Sequence, residues 1–183
     1  MWAADKLIPR RWARDAWTRA LHLALPADPV WAGLLPRLAR ILRFLTGDHW
    51  AFTPREAPLH LGVAATWLPD KAPEAVVLFS GGLDSLVGAI DWLEEGRCLL
   101  LVSHYDFGQL ASIQQRLAAL LKEAYGPERL HHVGLRVQFP ETREFTLRSR
   151  SLLFLALGLS AAAACGPGTP LVMPENGWIS LNP

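Results

Sequence analysis

Ser80-Gly81-Gly82-Leu83-Asp84-Ser85 is the segment whose residue types and spacing could do chemistry. Two adjacent glycines free the backbone to take positive φ and to turn successive N–H groups toward one point. A helix opening directly behind them adds unpaired amides and the positive end of its dipole. Ser80 and Ser85 add hydroxyl donors, and Ser85 or Asp84 can cap the helix. The result is a nest sized for a pair of phosphates. It lacks the Lys-Ser/Thr ending and four-residue spacing of a Walker A loop, and it is not a Gly-x-Gly-x-x-Gly dinucleotide turn. The plain alternative is a strand-to-helix turn that is merely rich in glycine and serine.

Such a loop needs a strand before it and a helix after it. Ala75 to Phe79 is a short apolar run with β-branched residues, suited to a strand covered on both faces. Ser85 to Glu95 reads as a helix with Leu86, Val87, Ile90 and Leu93 inward and Asp91, Glu94 and Glu95 outward. A strand over Arg97 to Ser103 follows, then a helix over Gln109 to Tyr125 with Leu110, Ile113, Leu117 and Leu120 on one face. His131 to Val137 reads as an edge strand, Thr146 to Ala164 as a buried helix closed by Gly166-Pro167-Gly168, and Pro170 to Met173 as a fourth strand. This alternation predicts an α/β fold, a Rossmann-like parallel sheet with helices on both faces and ligands beyond the carboxyl ends of the strands.

Other polar residues fall at those ends. Ser103 and His104 close the second strand, at the end of the sheet where ligands bind; a strand-end histidine with no ligand explains His104 equally well. Arg148 and Arg150 precede the last helix and could grip phosphate or carboxylate in a bidentate way, or be solvated charge. Glu175 and Asn176 stand where substrate would be selected, although Pro174-Glu175-Asn176-Gly177 also suits a tight turn.

Ahead of a linker at Leu68 to Pro73 lies a tryptophan-rich, mostly helical region, residues 1–70, so that 71–183 form the domain carrying the phosphate-cradling loop. The first region holds six of the eight tryptophans, Trp2, Trp12, Trp17, Trp31, Trp50 and Trp67, which packing accounts for best. Val30, Leu34, Leu38, Ile41, Leu42 and Leu45 recur at helical spacing while Arg37, Arg40 and Arg43 fall away from that stripe. Gly47 stops the helix, and His49 to Thr53 suits a short strand.

Composition narrows the function classes. The chain is 51% hydrophobic and 19% charged, which favours folding over disorder. A formal charge of +1 argues against a protein built mainly to grip nucleic acid, though not against a local basic patch. Cys98 and Cys165 cannot make a disulfide scaffold or a four-cysteine metal site, and their scarcity suits a reducing compartment. Met1 to Arg14 is not a secretory signal, and the apolar run Ser151 to Cys165 is shorter than the roughly 20 residues that span a bilayer. A cytoplasmic protein without membrane contact is expected. The end at Ser180-Leu181-Asn182-Pro183, with no closing helix or polar tail, suggests a fragment of a longer frame.

The Ser-Gly-Gly-x-Asp-Ser string after an apolar strand resembles the PP-loop of the ATP pyrophosphatases, which have the adenine nucleotide α-hydrolase fold. The resemblance implies ATP with Mg²⁺, a loop that holds pyrophosphate, and attack of a substrate oxygen on the α phosphorus, with Asp84 and Arg150 as catalytic residues. His104-Tyr105-Asp106-Phe107-Gly108-Gln109 is similar to the Phe-Asp-Tyr-Gly-Gln segment of the 7-cyano-7-deazaguanine synthases, the QueC family, and Arg150 to Leu155 resembles that family's Gly-Arg-Asn-x-x-Phe-Leu helix start. The chain departs from it at Ser151, in a shorter segment between Gln138 and Arg150, at Pro174 to Trp178, and in having no four-cysteine zinc cluster. The tryptophan-rich leader with Phe44 to Trp50 and the later Pro-Glu-Asn-Gly resemble the QueC-like proteins of the Qat anti-phage system. That likeness implies ligase chemistry on a carboxylate of 7-deazaguanine type and defence-system protein partners. A nucleotide-binding subunit without catalysis and a tRNA-modifying PP-loop enzyme are the alternatives. The latter usually needs reactive cysteines or a basic surface.

Overall fold

Strand–helix alternation and a separate leader translate into two units. The computed structural model describes residues 1–26, 29–55, 72–144, 146–147 and 149–175. Contacts divide the chain into Met1–Ala64 with Phe139–Ser149, and Ala65–Gln138 with Arg150–Pro183. Residues 139–149 thus belong with the first unit, where the amide of Arg143 donates to the carbonyl of Lys6 at 2.8 Å.

The first unit runs α1 (Trp2–Leu7), a 3₁₀ turn (Arg10–Trp12), β1 (Ala20–Pro26), α2 (Pro29–Ala32), α3 (Leu35–Thr46) and β2 (His49–Arg55). The helical region is therefore present, together with a two-stranded parallel sheet in which Leu21 pairs with Trp50 and Leu23 with Phe52. The long stripe from Val30 is broken into two helices by a turn at Gly33 and Leu34. Gly47 ends α3 in the left-handed region at φ 74°, as a C-terminal glycine should. Packing accounts for Trp2 and Trp50, which are buried, but Trp12, Trp17 and Trp31 are exposed, and Trp67 lies outside the described residues.

A buried charge cluster joins the elements of this unit, beside a small apolar core of Trp2, Leu21, Leu35, Leu42 and Trp50. Asp48, fully buried, accepts both terminal nitrogens of Arg10 at 3.0 Å and the Arg19 guanidinium at 2.6 and 3.2 Å. Arg19 also reaches Asp5 at 2.5 Å and the carbonyls of Ala4 and Ile8. The Arg19 amide donates to Asp48 as well, and the His49 amide to the Arg19 carbonyl at 2.8 Å. One carboxylate thereby ties the starts of both strands to α1 and the 3₁₀ turn.

In the second unit β3 (Ala75–Leu78), α4 (Leu83–Glu94), β4 (Leu99–His104), α5 (Gly108–Tyr125), β5 (Leu130–Leu135), α6 (Arg150–Cys165) and β6 (Leu171–Val172) follow one another. The sheet order is β5-β4-β3-β6, with every pair parallel. Alternation splits each strand between two cores. Val77, Phe79, Leu99 and Leu101 pack with Ala89, Leu93, Ala118 and Leu121 of α4 and α5. Val76, Leu100 and Val102 pack with Ala162, Phe154 and Leu157 of α6. Helices thus cover both faces. Gly158 allows α6 to approach closely: a Cβ there would stand 2.5 Å from Leu78 Cδ2.

Three sequence expectations shift here. The inward face of α5 is Gln114, Ala118 and Leu121, while Ile113 and Leu120 are exposed. Val87 of α4 is also exposed. The apolar helix α6 is buried on one face only, at Gly158 and Ala162, and Leu159 points to solvent. Among the described residues no helix is long and apolar enough to cross a membrane.

Candidate phosphate-binding site

The chain leaves β3 for β4 and β5 on one side and returns to β6 on the other. A reversal of this kind opens a crevice beyond the carboxyl ends of the two diverging strands. The Ser80–Ser85 segment occupies that point. Gly81 takes φ 86°, in the left-handed region, whereas Gly82 is extended at φ −88° and ψ 169°. Only the first glycine therefore needs its positive φ, not both. Gly82 is the N-cap of α4 and no side chain caps the helix, contrary to the role anticipated for Ser85 or Asp84. The first-turn amides from Leu83 to Ser85 have no partner within the helix and remain available to an anion.

The hydroxyls are used differently from the sequence expectation. Ser80 Oγ donates to Ser85 Oγ at 3.2 Å, and Ser85 Oγ donates to the Gly82 carbonyl at 2.9 Å. The Gly82 amide in turn donates to Ser80 Oγ at 3.3 Å. The two serines brace the loop from inside, with Ser85 buried, so the backbone is left as the main donor set.

A residue that sequence reasoning missed completes the brace. Gln114, buried on α5, donates its amide to the Ser80 carbonyl at 3.0 Å and to the His104 carbonyl at 3.2 Å. It fastens the loop after β3 to the end of β4. Its signal is a polar residue one position beside the expected apolar stripe of α5.

Alongside the loop an open cleft of about 400 Å³ is lined by Leu83, Asp84, Val87, Trp92, Val172, Pro174 and Glu175, among others. Asp84, Asp91 and Glu175 thus share one cleft, its other walls largely apolar. Leu83, which lines this cleft, is 74% exposed. Gly88 lets Pro174 pack closely on α4, since a Cβ there would stand 2.5 Å from Pro174 Cβ.

Arg150 begins α6 and pairs with Asp106 at 3.4 Å, while Arg136 donates to the Asp106 carbonyl at 3.3 Å. Ser103 and His104 are both fully buried and, one residue apart on a strand, face opposite sides of the sheet. Arg148 and Asn176 lie outside the described residues. No group of three or more metal-type ligands exists among the described residues.

Ser103 has a defined role. Its Oγ donates to the Phe79 carbonyl at 2.7 Å, so its proton is committed, and His132 Nε2 at 2.9 Å must supply the N–H. Burial, and then the charge of Lys122, push the His132 pKa below the ordinary histidine value. His131 is shifted the same way. A depressed folded-state value means that the neutral form stabilises the fold. That stability is fully present above about pH 6.5 and lost as pH falls through the lowered value. Urea unfolding between pH 7.5 and 5 should therefore show stability falling with acid, and His132→Gln should reduce the dependence.

Comparison with protein-family models, with curated proteins and with solved structures finds no match.

Proposed function

We propose that this chain binds ATP at the Ser80–Ser85 loop and adenylates a carboxylate substrate with release of pyrophosphate. The observation that carries this is the uncapped helix α4 opening from a left-handed glycine at the sheet's switch point, with a cleft beside it. Backbone amides from Leu83 to Ser85 would hold the β and γ phosphates, and the brace from Ser80, Ser85 and Gln114 keeps them aimed before ATP arrives. Such preorganised donors act where charge develops on the leaving group.

In the proposed step a substrate carboxylate oxygen forms a bond to the α phosphorus and the bond from that phosphorus to the bridging oxygen of pyrophosphate breaks. The electron pair leaves with pyrophosphate. Asp84, with Glu175 lining the same cleft, would hold one Mg²⁺, which usually takes one or two carboxylates together with phosphate oxygens. When bound, Mg²⁺ would neutralise phosphate charge. Arg150, held by Asp106, is the cation available to the substrate or phosphate from α6.

The segments similar to the 7-cyano-7-deazaguanine synthases make a 7-deazaguanine-type carboxylate the first substrate to try, with ammonia as acceptor, in cytoplasmic anti-phage defence. Pyrophosphate release from ATP should fall about 100-fold or more in Asp84→Ala. Ser85→Ala should weaken ATP binding by loosening the loop. Unchanged nucleotide affinity and turnover in both variants would remove the loop from this account. Tight ATP binding with no pyrophosphate released for any carboxylate would leave a nucleotide-binding subunit instead.

A further inference from the structure

Charge is shared unevenly between the two units. The first holds eleven Lys and Arg against seven Asp and Glu, a formal +4, and the second holds seven against ten, or −3, so the chain total of +1 conceals the split. Asymmetry of this kind between halves suggests a polyanionic partner for the basic one. The described acids of the first unit are already engaged. Asp5 and Asp48 are buried with Arg19 and Arg10, and Asp15 accepts the amides of Trp17 and Thr18. Glu141 pairs with Arg143, and Glu144 accepts the Arg10 amide.

The basic excess gathers on α3 and β2. Arg37, Arg40, Arg43, His49 and Arg55 are all exposed, and none forms an ion pair among the described residues. No acidic residue occurs on α3. Phe44 lies among these arginines and is 89% exposed. At roughly 100° per residue, Arg37, Phe44, Arg40 and Arg43 fall within an arc of about 120°. That arc is opposite the buried Leu35 and Leu42. The centre of a helix's solvent face ordinarily carries polar side chains, and Phe44, with the exposed Ile41 one turn before it, breaks that pattern beside three arginines. Next to it, Arg40, Arg43, His49, Ala39 and Trp50 line a hollow of about 270 Å³.

We propose that α3 and the start of β2 form a binding surface for single-stranded nucleic acid. The arginines meet successive phosphates and Phe44 stacks on a base, the combination by which single strands are held without sequence preference. An aromatic at the middle of the patch favours an unpaired strand, because bases in a duplex offer it no free face. The inference does not depend on the nucleotide site in the second unit.

The test uses the full chain and a labelled single-stranded RNA of mixed sequence, about 20 nucleotides long, longer than the ~4–16 that one small fold covers. Fluorescence anisotropy is followed between low and physiological salt. Arg37→Ala, Arg40→Ala and Arg43→Ala combined should weaken binding at least about tenfold. The triple variant should also lower the salt slope by about 2, at ~0.7 for each phosphate no longer neutralised. Phe44→Ala should weaken binding by roughly 5-fold or more with the slope unchanged. All four side chains are exposed, so far-ultraviolet circular dichroism should stay as in the parent. Undetectable RNA binding at low salt would overturn the proposal. So would equal affinity in the triple variant, equal affinity for a duplex of the same sequence, or binding to phosphatidylserine vesicles in place of RNA.

Discussion

Asp48→Ala should destabilise the first unit by about 3–5 kcal/mol, the usual cost of removing one partner from a buried ion pair. The cost is high because Arg10 and Arg19 would keep their charges in a buried site without the carboxylate that balances them. Four side-chain hydrogen bonds and the bond from the Arg19 amide would go as well. Burial pushes the Asp48 carboxyl pKa up, but the hydrogen bonds and charge of Arg19, with the charge of Arg10, outweigh it and hold the value below the ordinary one. By linkage this stabilisation is complete above about pH 4 and is lost as pH falls through the depressed value. Urea titration followed by tryptophan fluorescence would read the change, since Trp2 and Trp50 are buried in this unit. A loss below about 1 kcal/mol would mean that the cluster is solvated and contributes like a surface pair.

Gly81→Ala should damage the loop far more than Gly82→Ala. At φ 86° an alanine pays roughly 1–2 kcal/mol of backbone strain. Its Cβ would also stand 3.1 Å from Gln114 Cγ. Gln114 cannot simply withdraw, because its amide holds the carbonyls of Ser80 and His104. The loop must shift instead, and the free first-turn amides would move with it, with ATP affinity expected to fall about tenfold or more. Gly82 is extended, and a Cβ there meets only Ser80 Oγ at an ordinary 3.5 Å, so its replacement should cost under about 1 kcal/mol. Calorimetric ATP titration of the two variants would separate them. Equal affinities would show that left-handed geometry at Gly81 is unnecessary for binding.

The second unit is largely legible in its sequence because its elements are local and apolar. Val-Val-Leu and Leu-Leu-Leu-Val announce strands buried on both faces, and the twin glycines announce a turn between strand and helix. The first unit is less so. In β1, Leu21, Leu23 and Leu25 alternate at strand spacing over seven residues, a signal overshadowed by the longer helical stripe that follows from Val30. Arg10, Arg19 and Asp48 read as surface charge; only a fold that joins residues 29 and 38 positions apart turns them into a core. Gln114 is hidden by a small rotation of α5, since Leu110 and Leu117 suit two neighbouring faces and the choice between them is made by the sheet beneath. The return of residues 139–149 to the first unit is a long-range association that local pattern does not encode.

The central claim is that backbone amides after Gly81 converge on a polyphosphate. It is tested most directly by titrating magnesium pyrophosphate into ¹⁵N-labelled protein and following each amide. Saturable shifts concentrated at Gly82, Leu83, Asp84 and Ser85, and needing about tenfold or more ligand in Gly81→Ala, are predicted. Amides from Gly81 to Ser85 that stay still while pyrophosphate binds elsewhere, or not at all, would contradict it.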